Sequence, residues 1–231
     1  MSTELPPPRK DSEVIQILAT EHWSLLATRA LTYQESLGRV NMFLAILSGA
    51  VIALALIAQA DHFGRTFIAV AIFMLAVVFF TGLATVRRLM MLNLDDFHTV
   101  VGMNRLRHGY LDTHPELEPY FITGSHDDLA GALRTLGLDV ATAQGLGTVF
   151  HGFVTLPGMV GVIVAAVGGA IGGLASIGFG APGYAAILVG AVVFAATEYL
   201  ITRVGRRSFR GFGPSVEPRF PTPVKPPTSK G

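Results

Sequence analysis

Long uncharged runs alternate with polar stretches along this chain, and the runs come in two pairs. Residues 40–60 (VNMFLAILSGAVIALALIAQA) carry no charge between Arg39 and Asp61, and residues 66–86 (TFIAVAIFMLAVVFFTGLATV) carry none between Arg65 and Arg87. At a rise of about 1.5 Å per residue, each run is long enough to cross about 30 Å of hydrocarbon as a helix. A second pair lies between Val140 and Thr197, a stretch without Asp, Glu, Lys or Arg that is divided by the turn-rich SIGFGAPG of residues 176–183. The pattern places spans at about 153–175 and 183–203. It predicts an all-α, polytopic membrane protein with four transmembrane helices in two hairpins, because repeated uncharged runs of this length do not suit one buried hairpin of a soluble protein.

The polar stretches around the first pair also keep helical spacing. Asp11 and Ser12 offer N-cap oxygens after the prolines at 6–8, and Val14, Ile15, Leu18, Leu25 and Leu26 follow on one side of a helix over 12–39. Past the second run, residues 87–113 contain no proline and keep Leu89, Leu92, Val100, Met103, Leu106 and Tyr110 in phase. These extensions of the first two transmembrane helices, joined through the short external loop 61–65, are expected to pack side by side as a cytoplasmic helical stalk. The alternative for 12–39, a helix lying on the membrane surface, is disfavoured by Glu13, Glu21 and Glu35.

Pro115 and Pro119 end the second extension. Residues 114–150 then form a tip and a return to the bilayer, with a short helix through LAGALRTL that Asp127 and Asp128 can cap and Gly137 can end. Residues 1–11 and the basic, proline-rich tail 204–231 lack periodicity. The end of that tail, PSVEPRFPTPVKPPTSKG, is expected to be disordered or polyproline-like.

Charge sets the orientation. All Lys and Arg except Arg65 fall before the first run, between the pairs, or after the last run, so both termini and the middle are expected in the cytoplasm. Only 14% of residues are charged against 51% hydrophobic, which suits a bilayer better than a soluble surface. No apolar h-region precedes residue 11, so no cleavable signal is expected. Arg far outnumbers Lys beside abundant Ala, Gly and Val, a composition compatible with a GC-rich bacterium, and the expected location is a bacterial inner membrane.

The chain has no cysteine, which excludes disulfides, thiolate catalysis and thiolate metal ligands. No GxSxG, Walker loop or dinucleotide fingerprint occurs, and neither catalytic residues nor a cofactor are expected. The arginines gather at membrane exits without interleaved aromatics, so nucleic acid is not an expected partner. His108 and Asp112, four apart, are weak metal candidates that solvated polar surface explains as well.

The tip carries the candidate partner contacts. Tyr120 and Phe121 offer aromatic area beside Glu116 and Glu118, acids that can pair with Arg105 or Arg107; the blander role of the aromatics is to plug the stalk. Within the bilayer, Glu198 is the single acid of the four runs and a candidate intramembrane polar site, with pairing to Arg87 or Arg88 as its structural role. Gly161, Ala165, Gly169 and Gly173 form one small-residue row on the third helix, with Gly168 and Gly172 beside it. One row suits Ala186 and Gly190 of the fourth helix; the other is left for the first hairpin or another subunit. Three functions fit: a non-enzymatic homo-oligomeric membrane assembly of the small-channel kind, an anchored adaptor docking a cytoplasmic protein through its tip, or an accessory subunit of a transporter.

Overall fold

The structure, a computed structural model, describes residues 10–137, 155–212 and 217–223. The unstructured segments expected at 1–9, 213–216 and 224–231, and the return over 138–154, lie outside these residues. Among the described residues there is no strand. Five α-helices follow in order: α1 (Lys10–Asp61), α2 (Arg65–Thr113), α3 (Leu129–Thr135), α4 (Leu156–Gly178) and α5 (Gly183–Phe212), with a 3-10 turn at Pro115–Tyr120. α1, α2, α4 and α5 are each long and apolar enough to cross a membrane.

Two threonines inside α2 are satisfied within their own helix. The hydroxyls of Thr81 and Thr85 each donate to the carbonyl four residues back, at 2.8 and 2.9 Å, so neither needs water within an apolar run. α4 starts with Pro157 in its first turn and Thr155 as N-cap. Pro157 therefore lies where its missing N–H costs no bond, and it begins the helix rather than kinking it. α5 runs on to Phe212, past the span expected to end at 203, because no proline intervenes before Pro214.

The chain divides into two compact units. The described part of the first comprises residues 10–32, 94–137 and 217–223; the second contains residues 33–93 and 155–212.

In the second unit α1 and α2 are joined by a minimal turn. Gly64 N–H donates to the Asp61 carbonyl at 2.9 Å, while the Asp61 carboxylate accepts from Phe67 N–H at 2.7 Å. Asp61 thus closes one helix and caps the next. His62 and Phe63 between them adopt left-handed φ values of 46° and 62°. The core is built from Phe43, Leu75, Val78, Leu89, Val160 and Val164 of α1, α2 and α4, with Ile201 from α5. Gly82 makes this packing possible: a Cβ there would lie 2.4 Å from Val164 Cγ2 and 2.9 Å from Phe43 Cε2.

The turns at 62–64 and 179–182 lie at the same end of this unit, since Gly178 packs beside Ile68. Both carry exposed aromatics: Phe63, Phe179 and Tyr184 are 69%, 94% and 72% accessible. Charge gathers at the opposite end. There Arg88 meets both oxygens of Glu35 at 2.9 Å, and Arg39 adds a contact at 2.8 Å.

The first unit pairs the start of α1 with the end of α2 in antiparallel register. Leu18 packs at Gly109 and Leu25 at Gly102, and Arg29 clasps Asp96 through Nε at 2.7 Å and Nη2 at 3.3 Å. His22 stacks near Tyr110. Small residues on α2 let α1 leucines seat closely, the local reason these segments pair.

Candidate functional site

The residues with the most specific chemistry gather in the first unit, where α2 ends and the chain turns toward α3. Asn104, on α2 and fully buried, organises the region. Its amide donates to the His126 carbonyl at 2.8 Å, and its oxygen accepts from Arg107 at 2.7 Å and from Thr135 at 2.9 Å. Buried polar atoms are costly unless paired, so these bonds lock the connection to α3 in one conformation. α3 seats tightly against that connection: a Cβ on Gly131 would lie 2.1 Å from the His126 carbonyl oxygen. Asp128 is the N-cap of α3, accepting from Gly131 N–H at 2.8 Å, and Gly137 follows the helix at φ 72°.

Asp127 does not cap α3. Its side chain is fully buried and takes up a segment from beyond α5, residues 217–223. The carboxylate accepts from Arg219 N–H at 2.9 Å and from Phe220 N–H at 2.8 Å, and Asp127 N–H donates to the Phe220 carbonyl at 3.2 Å. Arg105 Nε donates to the same carboxylate, and its Nη2 donates to the Glu217 carbonyl at 2.7 Å. Asp128 continues the row, accepting from Thr222 N–H at 3.1 Å and from its hydroxyl at 2.7 Å. The Phe220 ring lies on the His108 imidazole, centroids 4.1 Å apart. Residues 217–223 are therefore fixed in place, which corrects the expectation of a structureless tail over this stretch.

Electrostatics follow from these bonds. Burial by itself would raise the Asp127 carboxyl, but the Arg219 N–H, the Arg105 guanidinium and the Phe220 N–H outweigh it and hold it below the ordinary value. Asp128 is held down in the same way, against burial, by Gly131 N–H and both Thr222 donors. Both are acceptors at neutral pH.

The other sequence candidates sort differently. Arg105 and Arg107 are committed to Asp127 and Asn104, so neither meets Glu116 or Glu118; Glu116 instead contacts His114 at 2.9 Å. Phe121 stacks parallel to Tyr110 at 6.3 Å, whereas Tyr120 is 79% and the following Ile122 99% accessible. Only the second aromatic covers the helix pair. His108 and Asp112 approach to 3.6 Å, but the imidazole is stacked on Phe220, and no group of three metal-ligating side chains occurs among the described residues.

In the second unit Glu198 meets Thr202 at 3.5 Å, while Arg88 is engaged by Glu35. The second Glu198 oxygen is buried without a protein partner. The small-residue rows of α4 face this chain's own helices. Gly169 lies against the Gly190 carbonyl and Gly173 against that of Ala186, both on α5; Gly161 faces Ile201, and Gly172 faces Val193. Gly168 meets Phe79 of α2, and Ala165 is fully buried.

The sequence offered Asp127 and Asp128 as caps of the short helix but not what Asp127 holds. The available signal was the spacing of residues 217–223, EPRFPTP: prolines alternate with the residues whose N–H groups are used, around one aromatic. No protein-family model, no curated protein and no solved structure matches this chain.

Proposed function

We propose that this protein is a membrane-anchored adaptor whose paired α1 and α2 extensions form a cytoplasmic stalk, carrying a docking surface for a cytoplasmic protein. In this reading the spans within α1, α2, α4 and α5 form two hairpins in the cell membrane. The aromatics of the turns at 62–64 and 179–182 then sit in the outer interface, and the arginine-rich ends face the cytoplasm. The observation that carries the reading is the bare apolar edge of the 3-10 turn. Leu117, Tyr120 and Ile122 are exposed on a backbone stiffened by Pro115 and Pro119. The adjoining connection to α3 is locked through the buried Asn104. Preorganised apolar side chains beside polar groups suit a protein partner, because little order is lost on binding.

The glycine rows that motivated a channel-like oligomer are taken up within one chain, which moves the weight to this surface. The test is to replace Leu117, Tyr120 and Ile122 by Ser together in the full-length protein and compare the cytoplasmic proteins that co-purify after mild solubilisation. A partner lost from the variant, at unchanged thermal stability, is the expected result; an unchanged partner set rejects the reading.

Self-association has its own support in Ile17, Trp23 and Leu31 of α1, which are 62%, 71% and 65% exposed in the first unit. A homo-oligomer through this face predicts a particle mass that is a multiple of the 24.5 kDa chain after gentle solubilisation. A strictly monomeric particle, unchanged on replacing the three residues by Ser, removes that reading.

A further inference from the structure

We propose that Asp127, Asp128, Arg105 and His108 form a recognition site for an extended, proline-spaced peptide with a central Phe, and that residues 217–223 are its resident, displaceable ligand. The proposal does not depend on the adaptor reading, since it concerns a different face with an occupant already in place.

The contacts are those of a peptide site rather than of a folded core. Five of the six polar contacts engage the backbone of the segment only: three N–H groups, of Arg219, Phe220 and Thr222, and two carbonyls, of Glu217 and Phe220. The site supplies acceptors through two adjacent carboxylates and donors through one guanidinium and one N–H, which between them take the N–H groups of Arg219, Phe220 and Thr222 and the carbonyls of Glu217 and Phe220. Two side chains give selectivity. The Phe220 ring stacks on His108, and the Thr222 hydroxyl reaches Asp128.

Pro218, Pro221 and Pro223 occupy the positions where no N–H is required, and they hold the free segment near the extended form, which lowers the ordering cost of binding. The remaining acid, Glu217, contributes its carbonyl rather than its carboxylate, so the two site carboxylates meet no anion on the ligand. The lowered carboxyls of Asp127 and Asp128 agree with acceptors that must stay ionised. Displaceability follows from the construction: the segment is held by hydrogen bonds and one stacked ring, and five of its seven residues, all but Phe220 and Thr222, are exposed.

The ligand chemistry has two sources, the chain's own segment and the same segment of a second copy. For the affinity test, a fluorescent peptide of sequence EPRFPTP is titrated into the purified full-length protein and into a full-length variant carrying Phe220→Ala and Thr222→Val. The variant has a weakened resident segment and is expected to bind the peptide at least about tenfold more tightly than the intact chain. Peptides carrying Phe220→Ala or Thr222→Val are expected to lose about tenfold or more against the same receptor, a comparison that leaves receptor folding untouched. Absence of peptide binding to the variant, or equal binding of a scrambled peptide, overturns the proposal.

Because the chain has no cysteine, Asp112→Cys and Pro221→Cys, beside the stacked His108 and Phe220 but outside that contact, report the source. A short bis-maleimide that joins the two within one doubly substituted chain assigns the ligand to the same molecule. A dimer formed from a mixture of the two single variants assigns it to a neighbour. No cross-link in either arm rejects the site.

Discussion

Gly82 lies directly against the Phe43 ring, and no side chain larger than hydrogen fits between them without displacing Phe43 or Val164. Gly82→Ala is therefore expected to destabilise the protein by about 1–3 kcal/mol despite its better helix propensity. Gly38, on α1, has nothing within 4 Å of a built Cβ, and Gly38→Ala is expected to be neutral or stabilising by about 0.5–1 kcal/mol. Thermal melts of both variants in one detergent check the contrast, and a tolerated Gly82→Ala would contradict the packing.

Asp61 gives a second stability prediction. Asp61→Ala removes the acceptor of Phe67 N–H and is expected to cost about 1 kcal/mol, with Asn recovering much of the loss because its amide oxygen still accepts. A thermal midpoint unmoved by Asp61→Ala would remove the capping role.

The Glu35 cluster predicts a pH dependence. Hydrogen bonds from Arg88 and then Arg39 lower the Glu35 carboxyl from an ordinary 4.5 to about 2. Its folded value lies below its unfolded one, so the stabilisation is complete above pH 4.5 and is lost as pH falls toward 2. Glu35→Gln is expected to flatten the acid limb of the stability curve in that window; wild-type and variant curves of the same shape would show that the cluster is energetically silent.

Topology is tested by single cysteines in the cysteine-free chain. Cysteine introduced by Gly180→Cys is expected to react with a membrane-impermeant maleimide in intact cells. The same reagent is expected to reach Tyr120→Cys only after permeabilisation. Labelling of Tyr120→Cys in intact cells would reverse the orientation drawn from the arginines.

The helical class and the four apolar helices were legible because period and charge are local properties. Uncharged runs announced themselves at 40–60 and 66–86, and the absence of proline over 87–113 agrees with an α2 that continues to Thr113. The sequence marked the fourth span at 183–203 by its charge boundary, and α5 continues past that boundary to Phe212 because arginine continues a helix readily. The proline spacing of residues 217–223 was legible, but not that Asp127 is where they rest. Asp127 and Phe220 are far apart in the chain, and the bonds between them use backbone groups that every residue possesses. Composition marked the segment as proline-rich; it carried no sign of where that segment rests. Likewise the sequence offered Arg105 or Arg107 to Glu116 and Glu118, whereas Arg105 binds the buried carboxylate of Asp127 and the Glu217 carbonyl.

The turn at Asp61 also decides where foreign sequence can be placed. With one residue ending α1 and capping α2, and with His62 and Phe63 already in left-handed conformations, the link has no slack. A reporter inserted there must break the cap. The turn at 179–182 is different, since Gly180 faces open space at φ 86° and Phe179 is almost wholly accessible. Epitope tags and fluorescent reporters for following this protein in living cells belong at the second turn.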